Sequence, residues 1–164
     1  MAQMSGQLAG PSGEYFEWAQ DEYVVTTDPA CMDIDSVHRF LSEESYWAQH
    51  IPREVVARAM RNAICFAVLH QRALIGFARV TTDRATVAYL GDVFILPAHR
   101  GKGLSKWLME CVGAHPELQG LRRWILATSD AHGLYARYGF TPLKAPAWWM
   151  EKHDPDVYQR TLES

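Results

Sequence analysis

The chain has 164 residues, 48% of them hydrophobic and 21% charged, with a formal net charge of −3 at pH 7. That length and composition suit one globular unit with a buried core. The acidic balance argues against a nucleic-acid partner, which needs a clustered basic surface, and no apolar run reaches the ~20 residues that span a bilayer.

Residues 1–13 are rich in Gly and small side chains and read as a disordered tail, leaving 14–164 as a single domain. Without a basic start followed by an apolar stretch, the expected location is cytoplasmic. Cys31, Cys65 and Cys111 are odd in number and far apart, so neither a disulfide framework nor a metal site is expected.

In chain order, the β-branched run from Tyr23 to Thr27 predicts a first strand. Two helices follow. Over 33–41, Ile34, Val37 and Leu41 share a face behind Asp33 as N-cap; over 52–62, Pro52 suits a first turn and Val55, Val56, Ala59 and Met60 form the stripe. The aromatic segment Ser45–Ile51 between them, with Tyr46 and Trp47, either lines a pocket or packs on the core.

Strands are predicted at 64–69 and 74–81, joined by a hairpin turn at His70-Gln71-Arg72, and a longer one at 87–96 stopped by Pro97. Leu104, Trp107, Leu108, Cys111 and Val112 follow helical spacing. A strand at 124–128, a short helix at 131–138 ended by Gly139, a strand or extended segment from Phe140 and a last strand at Trp148-Trp149-Met150 complete the prediction. This order gives an α/β fold with three layers, α/β/α, around a central mixed, mostly antiparallel sheet.

The chemistry-bearing stretch is Ile95-Leu96-Pro97-Ala98-His99-Arg100-Gly101-Lys102-Gly103-Leu104-Ser105, a strand turning through a basic glycine loop into a helix. Unpaired N–H groups and the positive dipole end at a helix start suit a phosphate, and Gly101 and Gly103 permit the positive φ of an anion nest. Arg100, Lys102 and the Ser105 hydroxyl add charge and donors. Neither a G-x-x-x-x-G-K-[ST] loop nor a complete dinucleotide-binding G-x-G-x-x-G is present.

This stretch resembles the acetyl-CoA signature V-x-P-x-x-R-G-x-G-[IL]-[GAS] of the GNAT superfamily of N-acetyltransferases. Leu134-Tyr135-Ala136-Arg137-Tyr138-Gly139-Phe140 resembles the family's second block, Y-x-x-[FY]-G-F. The resemblance implies that acetyl-CoA is the co-substrate, without a metal. It assigns the diphosphate to Arg100, Gly101, Lys102, Gly103, Leu104 and Ser105, and the pantetheine arm to the backbone of Phe94, Ile95 and Leu96. It makes Tyr135 the group that meets the leaving thiolate. Where many members carry an Asn on the fifth strand's exit, this chain has Thr128-Ser129-Asp130, leaving that contact open.

An alkyl amine of pKa ~10 must lose a proton before it attacks, so a base or proton wire is needed. Asp92 is the candidate, acting directly or through water; its other readings are binding a cationic substrate or satisfying a backbone amide. Backbone N–H groups near Phe94 suit the developing oxyanion. A phenol of pKa ~10 gives its proton to a thiolate of pKa ~8.5 uphill by roughly 2 kcal/mol, so Tyr135 is expected to act through a hydrogen bond.

The expected acceptor is a small-molecule primary amine, attacked directly in a ternary complex and contacted by Tyr46, Trp47 and Trp148. The alternatives are a protein amine or a non-catalytic acyl-CoA-binding module. A homodimer is left open.

Overall fold

The computed structural model describes residues 4–10 and 13–162. Its single sheet keeps chain order in space: β1 (Met4–Gly10), β2 (Gly13–Gln20), β3 (Tyr23–Thr26), β4 (Ile64–His70), β5 (Ala73–Thr82), β6 (Val87–Ile95) and β7 (Arg123–Ile125). Neighbours run antiparallel except β6 and β7, which are parallel. The parallel step is the one that requires a crossover, and α3 (Leu104–Ala114) supplies it.

Alternation along β4 sorts the core into two halves. Ile64, Phe66 and Val68 pack with Leu104, Trp107, Leu108, Cys111 and Val112 of α3 on one face. Cys65 and Ala67 face the other way, towards Val37 of α1 (Ile34–Arg39) and Val56 and Met60 of α2 (Arg53–Arg61). The three layers are therefore those the hydrophobic periods demand. Each large side chain removed from water contributes about 1.5–3 kcal/mol.

Local chemistry sets the helix starts. The Asp33 carboxylate accepts the Ser36 N–H at 3.1 Å and caps α1, and hydrogen bonds from Ser36 hold this carboxyl below its usual range. Pro52 stands at the N-cap of α2, one residue before the first turn expected for it. The β4–β5 turn has positive φ at both Gln71 (49°) and Arg72 (70°), the backbone of a type I′ hairpin.

Four expectations are corrected. Residues 4–10, read from composition as part of a disordered tail, form β1 on the edge of the sheet; pairing with β2 satisfies a backbone that few side chains could hold. Residues 1–3, 11 and 12 lie outside the described residues.

The strand expected at 124–128 pairs with β6 only through Ile125. No strand forms from Phe140 or at 148–150. Pro142 and Pro146 remove ladder donors, and 146–148 make a 3-10 turn that leaves Trp148 88% exposed. Further on lies α5 (Val157–Leu162), whose Tyr158 packs back onto the α1–α2 half of the core. The remaining helix, α4 (His132–Ala136), closes at Gly139 (φ 87°), with the Phe140 N–H donating to the Tyr135 carbonyl at 3.3 Å.

Gly76 marks the tightest approach in the sheet. A Cβ there would stand 2.6 Å from Ile95 Cδ1 and 3.0 Å from the Phe94 carbonyl oxygen. Gly76→Ala is therefore expected to destabilise the protein by about 1–3 kcal/mol, read as a lower denaturant midpoint at unchanged m.

Candidate active site

Past the Tyr89–Ile125 pair, β6 and the chain leaving β7 separate. Leu90 to Val93 form one wall of the resulting cleft and Leu126 to Ala131 the other; the whole cavity measures about 860 Å³. Tyr135 lines it from α4.

The split coincides with a β-bulge. Gly91 faces Arg79 and Phe94 faces Phe77, so Asp92 and Val93 together oppose Ala78. Asp92 takes φ 53°, an uncommon conformation for a residue with a Cβ. Two long-range contacts hold it there: Arg79 Nε donates to its Oδ2 at 2.8 Å and Trp47 Nε1 to its Oδ1 at 3.0 Å. The Arg79–Asp92 pair is largely shielded, with side-chain exposures of 22% and 12%.

Further along β6 the backbone polarity alternates. The Leu96 N–H donates to the Ile75 carbonyl at 2.8 Å. By the antiparallel alternation the Phe94 N–H then points to Phe77, and the Ile95 N–H points away from β5. Of the amides near Phe94, the one on Ile95 is therefore turned away from the β5 ladder. The Phe94 side chain is stacked on Phe40 at 3.9 Å between centroids, inside the core.

The glycine loop follows. Gly101 (φ 78°) and Gly103 (φ 76°) both take the left-handed conformation, and a Cβ at either would meet nothing within 4 Å. No side chain caps α3, so the amides of Leu104, Ser105 and Lys106 open onto this concavity with the helix dipole behind them. Arg100 donates through Nε to the Ile95 carbonyl at 2.9 Å, which fixes its guanidinium beside the loop and leaves its terminal nitrogens available. Lys102 leans over β3, its Nζ 3.4 Å from the Tyr23 hydroxyl. That hydroxyl also meets His99 Nδ1 at 2.9 Å; burial first, then His70 and Lys102, lowers the His99 pKa.

Tyr135 is 8% exposed, and its hydroxyl has no hydrogen-bond partner among the described residues. Burial, then Tyr46 and Asp130, pushes the phenol up to about 12. Tyr138 is structural, donating to the Lys106 carbonyl at 2.9 Å and tying α4 to α3.

Tyr46 reaches across the cleft: its hydroxyl accepts the Ser129 N–H at 3.0 Å, and hydrogen bonds from Ser129 lower its pKa. At the site of the family's Asn, Thr128 Oγ1 accepts the Ala131 N–H at 3.1 Å.

The structure therefore brings Asp92, Tyr135, Tyr46 and Trp47 into one cavity. Trp148 is not among the cavity's residues, and the neighbouring Trp149 lies over the Arg123 guanidinium at 4.9 Å. The segment from Glu151 to Gln159 supplies that wall instead. Sequence reasoning missed it, along with Arg79 and Tyr89. The only signal was Tyr158, an apolar ring in a polar tail.

A strand that parts from its neighbour thus runs into a glycine loop and an uncapped helix start, whose free amides are chemically suited to an anionic group. Residues 61–142 match the acetyltransferase (GNAT) domain family. A Gibberella zeae protein assigned as acetyltransferase FG08082 is 32% identical, with 73% of this chain and 79% of that one covered. A crystal structure from Xanthomonas campestris pv. campestris, assigned to the GNAT family, superposes with a TM-score of 0.81 at 54% identity over 83% of this chain and 96% of that one. A GNAT acetyltransferase from Elizabethkingia anophelis with acetyl-CoA bound shares the fold at 13% identity, with a TM-score of 0.56 over 74% and 78% of the two chains. The chain belongs to the GNAT family of acetyltransferases.

Proposed function

We propose that the sheet, β1 included, and the helices packed on it act as one unit that binds acetyl-CoA and transfers its acetyl group directly to a primary amine of a small molecule. The observation that carries this reading is the alignment of three features along one path: the open glycine loop, the unpaired edge of β6 and the unpartnered Tyr135 hydroxyl.

The residues fit the co-substrate. Gly101 and Gly103 leave room where side chains would intrude, and the amides at the start of α3 with Arg100 complement a diphosphate. Acetyl-CoA supplies an acyl group activated as a thioester. The protein supplies position and polarity. The Ile95 N–H offers a hydrogen bond to a carbonyl oxygen gaining charge.

Tyr135 offers its hydroxyl to the departing sulfur. With its phenol at about 12, full proton transfer to a thiolate of pKa ~8.5 would cost about 5 kcal/mol, so its contribution is a hydrogen bond. Asp92 holds the Trp47 loop first, since its charge is matched by Arg79. Two of its lone pairs are taken, and the others are proposed to accept the amine's proton through a water. Cys65 and Cys111 are buried with their thiols pushed up, Cys65 to about 12, which favours direct transfer over an acyl-cysteine.

The test is calorimetric titration with acetyl-CoA, beside an assay for free thiol with a panel of amines. Gly103→Val forces a β-branched residue into a left-handed conformation and sets a side chain before the α3 amides. Its Kd for acetyl-CoA is expected to rise at least about tenfold, equivalent to ~1.4 kcal/mol. An unchanged Kd removes the loop from the binding site.

A further inference from the structure

The acceptor half of the cleft carries more information than the presence of an amine site. Five charged side chains line the cavity besides His50 and His153: Arg79, Asp92, Asp130, Glu151 and Asp154. Arg79 is spent on Asp92, and Asp154 is paired with Arg160. Asp130 and Glu151 remain without a cationic partner among the described residues; Asp130 receives only a 3.4 Å contact from the Thr128 hydroxyl. The lining thus presents two unmatched carboxylates and no unmatched Lys or Arg.

Acidic side chains alone make no site. Here they stand at the rim of a cavity into which the buried, unpartnered Tyr135 faces. Below the rim the wall turns apolar and aromatic, with Trp47, Ile51, Val55 and Tyr158. Tyr158 brings this about: by packing on the α1–α2 core it draws the tail, Glu151 included, over the cleft.

We propose that the acceptor is a cationic amine on an apolar or aromatic body that carries no carboxylate or phosphate, and that Glu151, with Asp130, sets this preference. The inference rests on the small-molecule acetyltransferase reading above. A protonated amine is drawn in by the two carboxylates. An anionic group on the same molecule meets no unmatched Lys or Arg in the lining and is repelled by the two carboxylates. The reaction then balances over two protons: the bound ammonium gives up one before attack, through water beside Asp92 to solvent, and the nitrogen gives up a second as the C–N bond forms and the C–S bond breaks, so that coenzyme A leaves as the thiol.

The experiment compares 2-phenylethylamine with phenylalanine, which has the same ring and amine plus a carboxylate. Turnover is measured with acetyl-CoA, and equilibrium binding by calorimetry with coenzyme A in its place. The wild type is expected to favour 2-phenylethylamine in kcat/KM by at least about 30-fold, or ~2 kcal/mol, with the same order in Kd. Glu151→Gln is expected to raise the KM for the amine about three- to tenfold and to flatten its rise with salt between low and high ionic strength. Glu151→Lys is expected to narrow or reverse the preference.

Equal use of phenylalanine, or a preference untouched by both Glu151 variants, overturns this inference and leaves the acetyltransferase reading standing. Binding of acetyl-CoA with no amine bound or acetylated overturns the small-molecule reading, and this inference with it.

Discussion

Tyr135→Phe is expected to lower kcat by roughly 10- to 150-fold while leaving the Kd for acetyl-CoA within about twofold. The range follows from the ~1.5–3 kcal/mol carried by a hydrogen bond to a charged group, at 1.36 kcal/mol per decade of rate. The bond matters only once negative charge gathers on sulfur, so its loss falls on turnover and spares ground-state binding. Phenylalanine fills the same volume and keeps the edge contact with Phe140 at 6.0 Å between centroids. It also removes a hydroxyl that makes no hydrogen bond to another described residue, so no protein contact is lost. The variant should therefore be at least as stable as the wild type, which separates a catalytic loss from a folding defect. Because burial holds the phenol at about 12, the wild-type rate should show no loss between pH 9 and 10 assignable to Tyr135. Single-turnover kinetics and calorimetry read both effects; equal kcat in the two proteins would remove the hydroxyl from the mechanism.

The second large effect is on stability, and it comes from a residue far from the chemistry. His115, at the end of α3, is 2% exposed between Phe16 and Phe66, with ring centroids 4.8 Å and 5.6 Å away. Its Nδ1 accepts the Glu117 N–H at 3.1 Å, which places the proton of the neutral ring on Nε2. Protonation would charge a buried ring and turn that acceptor into a donor facing a donor. Burial accordingly lowers the pKa from 6.5 to about 4.

The folded-state value is the depressed one, so the unfolded chain binds the proton first as the pH falls. Stability from the neutral ring is complete above about pH 6.5 and is lost progressively down to about pH 4. A shift of that size corresponds to roughly 3 kcal/mol, or a Tm lower by about 6–12 °C. His115→Asn, whose side-chain oxygen can accept the same N–H, should flatten the pH dependence across this window. Asp83 does not interfere, because hydrogen bonds from Thr86, Ala85 and Val87 hold its carboxyl well below the usual range and move its transition to lower pH. Parallel melting curves for the two proteins from pH 7 to 4 would show that His115 titrates normally.

Both residues illustrate where sequence reading succeeds and where it stops. Tyr135 was legible because a short block, Tyr135 to Phe140, sits on one turn of helix and its Gly139 stop. His115 was not, since nothing next to it says that two aromatic rings from β2 and β4 enclose it. The tail misled for a related reason: Trp148 and Trp149 have the composition of a pocket wall, yet Trp148 projects into solvent while the polar stretch after it lines the cleft. Burial there is decided by Tyr158, which finds its place against helices more than 90 residues earlier in the chain.

The amino-acid sequence by itself determined the elements whose signal is local: the amphipathic stripe of α3, the positive-φ glycines before it, the caps and turns, and the order of the central strands. Each depends on residues within a turn or two, so period and residue type suffice. Only the tertiary structure decided the β1–β2 hairpin on the sheet edge, the bulge at Asp92, its bracing by Arg79 and Trp47, the Tyr46 bridge to Ser129 and the acidic rim carried by the tail. The contacts of Asp92 with Arg79 and Trp47 and of Tyr46 with Ser129 join positions 13 to 83 residues apart. They are set by strand register and by which buried ring wins a place in the core, and both are properties of the folded whole.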